Sequence, residues 1–218
     1  AHYHSMEVQL EFTKRGIPFS ITSGLRFFEQ AHIKDVAAFL KLTINPRDET
    51  AFKRMARLLP GIGGKTAESL WQRTSDALAG TTNFPALRGF KVPAKSQKAW
   101  GQLVCTLCDL VPEGAPLKPS NMIGCVLFAV YEDFMKENFA NFEARRQDLE
   151  TLQNFAQQFE STEEFLSQLS LLSGLETSEA FHGAGEQEKV TLSTLHQAKG
   201  LEWKVVFLIW LADGMFPS

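Results

Sequence analysis

The sequence predicts a mainly α protein in which a long helical middle is inserted into a partial α/β domain formed by both chain ends. Three observations carry this. From about Glu29 to Leu172 apolar residues recur at helical spacing with little interruption. Short β-branched and aromatic runs stand near the ends, at Ile17–Thr22, Val190–Thr194 and Lys204–Leu211. The last of these is apolar on both faces, as a strand in the middle of a covered, parallel sheet must be.

Taken in order, Met6–Lys14 reads as a short helix ending at Gly16, and Ile17–Thr22 as a strand. The helical middle declares itself by stripes. Phe52, Met55, Ala56 and Leu59 form the first, Trp100, Leu103, Val104, Leu107 and Val111 the second, and Ile123, Val126, Leu127, Val130 and Phe134 the third. Each stripe turns one face to a shared core. Pro119-Ser120 is a plausible helix start, and Ser161 with Glu164 three residues on has the form of a capping box. Ser173–Glu188, rich in Gly, Ser and Glu, reads as a linker. The expected organisation is therefore 1–27, a helical subdomain over 28–188, and 189–218.

Composition narrows the function classes. Hydrophobic residues make up 44% and charged residues 22% of the 218 residues, ordinary globular usage. The longest apolar runs, Met122–Tyr131 and Val205–Ala212, are too short to span a bilayer, so no membrane role is expected. The N-terminus lacks the pattern of a signal peptide, and a cytoplasmic location is expected. Cys105 and Cys108 stand at CxxC spacing, but no second pair or nearby histidine completes a zinc set, and the two continue a helical stripe. No bound metal is expected.

The net charge of −3 conceals a polarity along the chain. Lys41–Lys98 holds eleven Lys or Arg against four Asp or Glu, whereas Glu132–Glu188 holds three against thirteen. A basic block beside an acidic one suggests that the first meets a polyanion.

The basic block contains the most informative local sequence, Leu58-Leu-Pro-Gly-Ile-Gly-Gly-Lys-Thr-Ala-Glu-Ser-Leu70. Gly64, Lys65 and Thr66 imitate the end of a nucleotide-binding P-loop. That loop needs a glycine at position 59, which is Leu59, and a buried strand before it, where Ala51–Leu59 has helical spacing. Helix, tight turn, helix fits instead. Gly61 and Gly63 permit positive φ and close approach of another backbone, and Ile62 plugs the gap between the helices. Free amides at the start of the second helix would bind a phosphate without reading a base, with Lys65 and Thr66 placed to add contacts. The pattern resembles the helix-hairpin-helix motif of DNA-repair and replication proteins.

The C-terminal run TLHQAKGLEWKVVFLIWLADGMFPS, Thr194–Ser218, resembles motif V and the following segment of the UvrD, PcrA and Rep group of superfamily 1 DNA helicases. Ser23–Leu42 resembles the block where that family's second RecA-like domain (2A) passes into its accessory subdomain 2B, and the glycine turn stands where 2B carries its own. The resemblance implies that 1–27 and 189–218 are parts of 2A and that the helical middle is 2B. It further implies that Thr194 and His196 lie near single-stranded DNA, that Lys199 supports the turn or the DNA backbone, that Gly200 forms the turn, and that Glu202 bonds the ribose of ATP.

The sequence holds no Walker A loop, no acidic pair beside one for Mg²⁺, and no arginine motif VI. Phosphoryl transfer then has no Lys and Mg²⁺ clamp, so the expectation is a chain inactive by itself. Its partners would be a duplex/single-strand DNA junction and the remainder of a helicase, including the first RecA-like domain. ATP and Mg²⁺ would belong to that parent enzyme, a 3′ to 5′ helicase. The alternatives are a free-standing helix-hairpin-helix binding module and an inactive helicase-like scaffold of a helicase-nuclease complex.

Overall fold

The computed structural model describes residues 8–9, 11–12, 15–21, 27–177 and 189–209. It is mainly helical with one small sheet, in keeping with the predicted class. By internal contacts the chain divides into two units, one of residues 1–27 and 172–218, the other of 28–171.

In the first unit Val8, Gln9, Glu11 and Phe12 are helical, and Gly16 at φ +64° reverses the chain toward β1 (Phe19–Ile21). Phe12 packs on Phe19 with ring centroids 5.8 Å apart. β1 pairs in parallel with β2 (Val190–Leu192), matching Phe19 to Val190 and Ile21 to Leu192. Two runs at opposite ends of the sequence thus share one ladder. The predicted strand at Lys204–Leu211 is not formed over 204–209, and its last two residues, Trp210 and Leu211, lie outside the described residues. Val205, Phe207 and Ile209 are 68%, 85% and 49% exposed. A strand exists only as a paired backbone, and among the described residues no edge is offered to this one. Its apolar character states a demand for burial without supplying a partner.

The second unit is built on α1 (Ala31–Ile44), which is buried along most of its length. It packs against α2 (Glu49–Ala56), α4 (Gln97–Leu110), α5 (Pro119–Val126) and α7 (Phe142–Ala156). Asp48 caps α2, accepting from the Ala51 amide at 2.8 Å. Behind α2 runs α3 (Gly64–Leu78), which ends in Ala79 and Gly80 at positive φ. Phe52, Trp71 and Trp100 form an aromatic cluster, Phe52 lying 5.5 Å from Trp71 and edge-on to Trp100 at 6.4 Å. Burying each of these side chains contributes roughly 2 to 3 kcal/mol.

Two readings of the middle change. The third stripe is interrupted by a π-helical turn at Leu127–Tyr131, after which α6 (Glu132–Asn138) resumes. The extra residue rotates the chain, so Tyr131 and Met135 are fully buried where Val130 and Phe134 were expected. The second concerns Ser173–Glu188. Here α8 (Thr162–Thr177) continues through Ser173–Thr177, and 178–188 lie outside the described residues. A helix already anchored by buried Phe165, Leu169 and Leu172 carries one glycine at a cost of about 1 kcal/mol without ending. Ser161 caps α8 as its sequence suggests, accepting from the Glu164 amide at 3.1 Å.

A buried polar network ties these helices. Asp35 accepts from Arg54 Nε at 2.6 Å and from the Tyr131 hydroxyl at 2.6 Å. Burial, with the Asp35 carboxylate beside it, pushes the Tyr131 phenol far above its ordinary value of 10.0. His32, fully buried, lies 3.0 Å from Asp148 through Nε2 and 3.0 Å from Arg145 through Nδ1. Arg145 Nη1 can only donate, so Nδ1 accepts from it while Nε2 faces the Asp148 carboxylate.

Candidate nucleic-acid interface

The helical spacing of Ala51–Leu59 buries Phe52, Met55, Ala56 and Leu59, and the chain leaves α2 with this apolar face committed to the core. Pro60 cannot continue the helix comfortably, and Gly61 takes φ +79°, a conformation that L side chains rarely adopt. Ile62, 4% exposed, inserts inward and donates its amide to Leu59 O at 3.2 Å. Gly63 then caps α3 at φ −89° and ψ −178°. This corrects one expectation: of the two glycines, only Gly61 is at positive φ, and Gly63 is extended backbone open to any residue.

What Gly63 and Gly64 supply is space. A Cβ at either would meet nothing within 4 Å. No side chain caps α3, and the amides of Gly64, Lys65 and Thr66 have no partner among the described residues. Three N–H groups at the positive end of a 15-residue helix therefore face outward over an unobstructed surface. Lys65 is exposed and Thr66 half-buried beside them. Along the next turns Gly64, Lys65, Glu68, Ser69 and Gln72 line a shallow, open depression. Gly64-Lys65-Thr66 is the first turn of α3 and follows helix α2, where a P-loop would follow a strand.

The two helices are bolted beside this turn. Lys53 of α2 pairs with Glu49 on its own helix and with Glu68 of α3. Hydrogen bonds to these two carboxylates hold the Lys53 ammonium above its usual range. Lys53 thus spends its charge inside the protein, and the unpaired positive charge near the turn resides on other residues.

Those residues come from a segment that sequence reasoning missed. Between α3 and α4 the chain makes two 3₁₀ turns, Phe84–Leu87 and Ala94–Ser96. Ser96, fully buried, donates its hydroxyl to Pro60 O at 2.6 Å, which docks this segment on the glycine turn. Lys95 then lies across Gly61: its Nζ is 2.9 Å from where a Cβ on Gly61 would stand. The lysines of this segment were visible as charge, but a contact between positions 60 and 96 leaves no local signal.

The second cluster of expected residues lies in the other unit. Thr194, half-buried, precedes α9 (Leu195–Ala198), and its carbonyl accepts from the Gln197 and Ala198 amides at 3.1 and 2.9 Å. Lys199 is exposed, Gly200 turns the chain at φ +85° with open space around it, and Glu202 is exposed. The His196 side chain lies outside the described residues. The fold thus gathers Thr194, Lys199, Gly200 and Glu202 on one short turn after β2, and Gly61–Thr66 on another in the second unit. Among the described residues no group of three or more His, Cys, Asp or Glu side chains is placed to hold a metal ion. Nor is any helix among them long and apolar enough to cross a membrane.

The sequence model of the UvrD-like helicase C-terminal domain matches residues 1–84 and 121–218. Over 226 residues the chain is 27% identical to the ATP-dependent DNA helicase PcrA of Bacillus subtilis (strain 168), covering 98% of this chain and 30% of that protein. It is 31% identical to DNA helicase II of Escherichia coli (strain K12) and 30% identical to DNA helicase II of Haemophilus influenzae, in each case over 93% of this chain and 29% of the relative. The chain therefore spans about a third of the length of these relatives. With matches reaching both its ends and its helical middle, the chain belongs to the UvrD-like helicase C-terminal domain family.

Proposed function

We propose that this chain is the DNA-binding accessory and regulatory region of an ATP-dependent 3′ to 5′ DNA helicase, comprising a 2B-like helical subdomain and parts of the second RecA-like domain. The observation that carries the reading is the turn between α2 and α3: three partnerless amides on an open helix start, with Lys65 beside them and an acid-poor surrounding sequence. This is the arrangement of a helix-hairpin-helix motif, which holds a backbone phosphate without reading sequence. Its partners are then a duplex/single-strand DNA junction and the rest of the helicase, including the first RecA-like domain.

Toward the nucleotide the chain contributes one edge. Glu202 is an exposed carboxylate able to accept from ribose hydroxyls, and Gly200 leaves room in front of it. The described residues hold no acid cluster for Mg²⁺, and the sequence has no phosphate-binding loop. In this reading ATP and Mg²⁺ are held by the parent enzyme. Thr194, His196 and Lys199 would meet single-stranded DNA beside that edge.

The test is duplex binding by the 218-residue chain as a function of salt. Turn amides and a few cations neutralise about 2 to 4 phosphates, so log affinity falls against log salt with a slope of roughly −2 to −4. An affinity indifferent to salt, or a strong preference for one duplex sequence, would overturn the reading. Gly63→Val supplies the local check: extended backbone accepts it, so it should keep the fold with only the small loss of a poorer helix cap while blocking phosphate approach.

A further inference from the structure

We infer that residues 88–98 form a second phosphate-binding surface, a basic ridge fixed beside the glycine turn, whose ligand is the backbone of duplex DNA. The inference rests on the DNA-binding reading of the turn and adds to it a surface outside the turn. It also falls in the stretch between 84 and 121 that the family's sequence model does not match.

The first observation is charge without compensation. Arg88, Lys91, Lys95 and Lys98 occur in a run that holds no Asp or Glu. All four are exposed, and among the described residues none pairs with a carboxylate. The contrast with Lys53, Arg54 and Lys34 is direct, since each of those is satisfied by Glu or Asp within the protein. Solvated surface charge on helices commonly alternates in sign, but this segment does not alternate.

The second observation is rigidity where a loop would ordinarily be loose. Phe84 and Leu87 are fully buried at its start. Phe90 stacks on Trp100 at 6.1 Å with the rings 10° from parallel, and the Arg73 guanidinium of α3 lies over the Phe90 ring, 4.5 Å from its centroid. The same guanidinium donates to Lys91 O at 3.1 Å, and the Trp100 indole N–H donates to Leu87 O at 3.0 Å. At the far end Ser96 is clipped to Pro60. A loop held at four points carries its lysines on a fixed backbone, and side chains on a fixed backbone lose less freedom on binding than those on a mobile loop.

The third observation is placement. Lys95 crosses Gly61, so its ammonium is delivered to the same turn whose next residues carry the free amides. The absence of a side chain at Gly61 is what lets the lysine lie there. One phosphate on the amides and neighbouring phosphates along the ridge describe a grip on a length of backbone. Single-point contact at the turn alone would not.

The experiment is a salt titration of a fluorescein-labelled, mixed-sequence duplex with the 218-residue chain, read by anisotropy. The triple variant Lys91→Gln, Lys95→Gln, Lys98→Gln should weaken binding by roughly tenfold or more at low salt and flatten the slope by about 2 to 3, near one for each lysine removed. These side chains are exposed, so unchanged far-UV circular dichroism is expected. Ser96→Ala keeps every charge and releases the clip: affinity should fall while the slope stays as in the parent chain. A triple variant with parental affinity and slope overturns the ridge, and Ser96→Ala with parental affinity overturns its positioning by the clip. Lys65→Ala in the same titration separates the two readings. If it flattens the slope while the triple variant is silent, the turn binds DNA and the ridge does not; if the triple variant weakens binding while both Lys65→Ala and Gly63→Val are silent, the basic segment binds DNA without the turn, and the grip shared by the two is overturned.

Discussion

Substituting alanine at Gly61 and Gly63 in turn separates backbone conformation from open space at a turn whose two glycines look equivalent in sequence. At Gly61, φ is +79°, and an L side chain there costs roughly 1 to 2 kcal/mol. The new Cβ would also collide with the Lys95 side chain, whose Cδ lies 2.8 Å from that position. Lys95 is flexible and exposed, so its displacement adds about 0.5 to 1.5 kcal/mol through a strained rotamer. The expected loss is about 1.5 to 3.5 kcal/mol. At Gly63 the backbone is extended and nothing lies within 4 Å. About 0.5 to 1 kcal/mol lost at the cap is offset by about 0.4 to 1 kcal/mol from a less flexible unfolded chain, leaving Gly63→Ala near neutral. Urea unfolding followed by far-UV circular dichroism measures both. Adding Lys95→Ala to Gly61→Ala should recover only the rotamer share. The reasoning fails if Gly63→Ala is as damaging as Gly61→Ala, or if Gly61→Ala is neutral.

Four other outcomes are expected. Tyr131→Phe removes a donor to the buried Asp35 carboxylate and should destabilise the chain by about 2 kcal/mol in chemical denaturation. Because the folded state raises the Tyr131 phenol far above 10.0, its stabilising contribution is complete below that pH and is lost as pH rises beyond it; in an absorbance titration one of the two tyrosines should ionise only together with unfolding. Thr74 is fully buried with a hydroxyl that has no hydrogen-bond partner among the described residues, so Thr74→Val should stabilise by about 1 kcal/mol, a gain visible as a higher melting temperature. In a reconstructed parent enzyme Lys65→Ala should weaken duplex binding and leave DNA-stimulated ATP hydrolysis, whereas Glu202→Ala should raise the ATP requirement; loss of hydrolysis in Lys65→Ala would mean that Gly64-Lys65-Thr66 acts as a nucleotide loop after all.

Periodicity made most of the helical unit legible. The stripes led by Phe52 and Trp100 are buried as read, because a helix that commits one face to a core repeats that commitment every three or four residues. The third stripe went astray after Leu127, where a single extra residue in a π turn changes the phase without any mark in composition. Glycine content located the turn between α2 and α3 but could not say which glycine would be left-handed, since both tolerate it. Charge located the basic block, yet the ridge needed Ser96 brought to Pro60, a juxtaposition set by how α3 and α4 pack and not by neighbouring residues. At 204–209 the apolar pattern was real and its pairing was not, because a ladder requires a second backbone that hydropathy does not name.

The parallel pairing of β1 with β2 has a consequence for how the helical unit can change over evolutionary time. The two strands close a loop that contains everything between Ile21 and Val190. The entropy of closing such a loop grows only logarithmically with its length, so doubling the enclosed chain costs the ladder about 0.6 kcal/mol. Residues added to or trimmed from the enclosed unit are therefore nearly invisible to the strands that bracket it, provided the crossover stays longer than the dozen or so residues a parallel connection needs. The host ladder and its guest are free to be selected separately, one for its register and the other for the surface it presents.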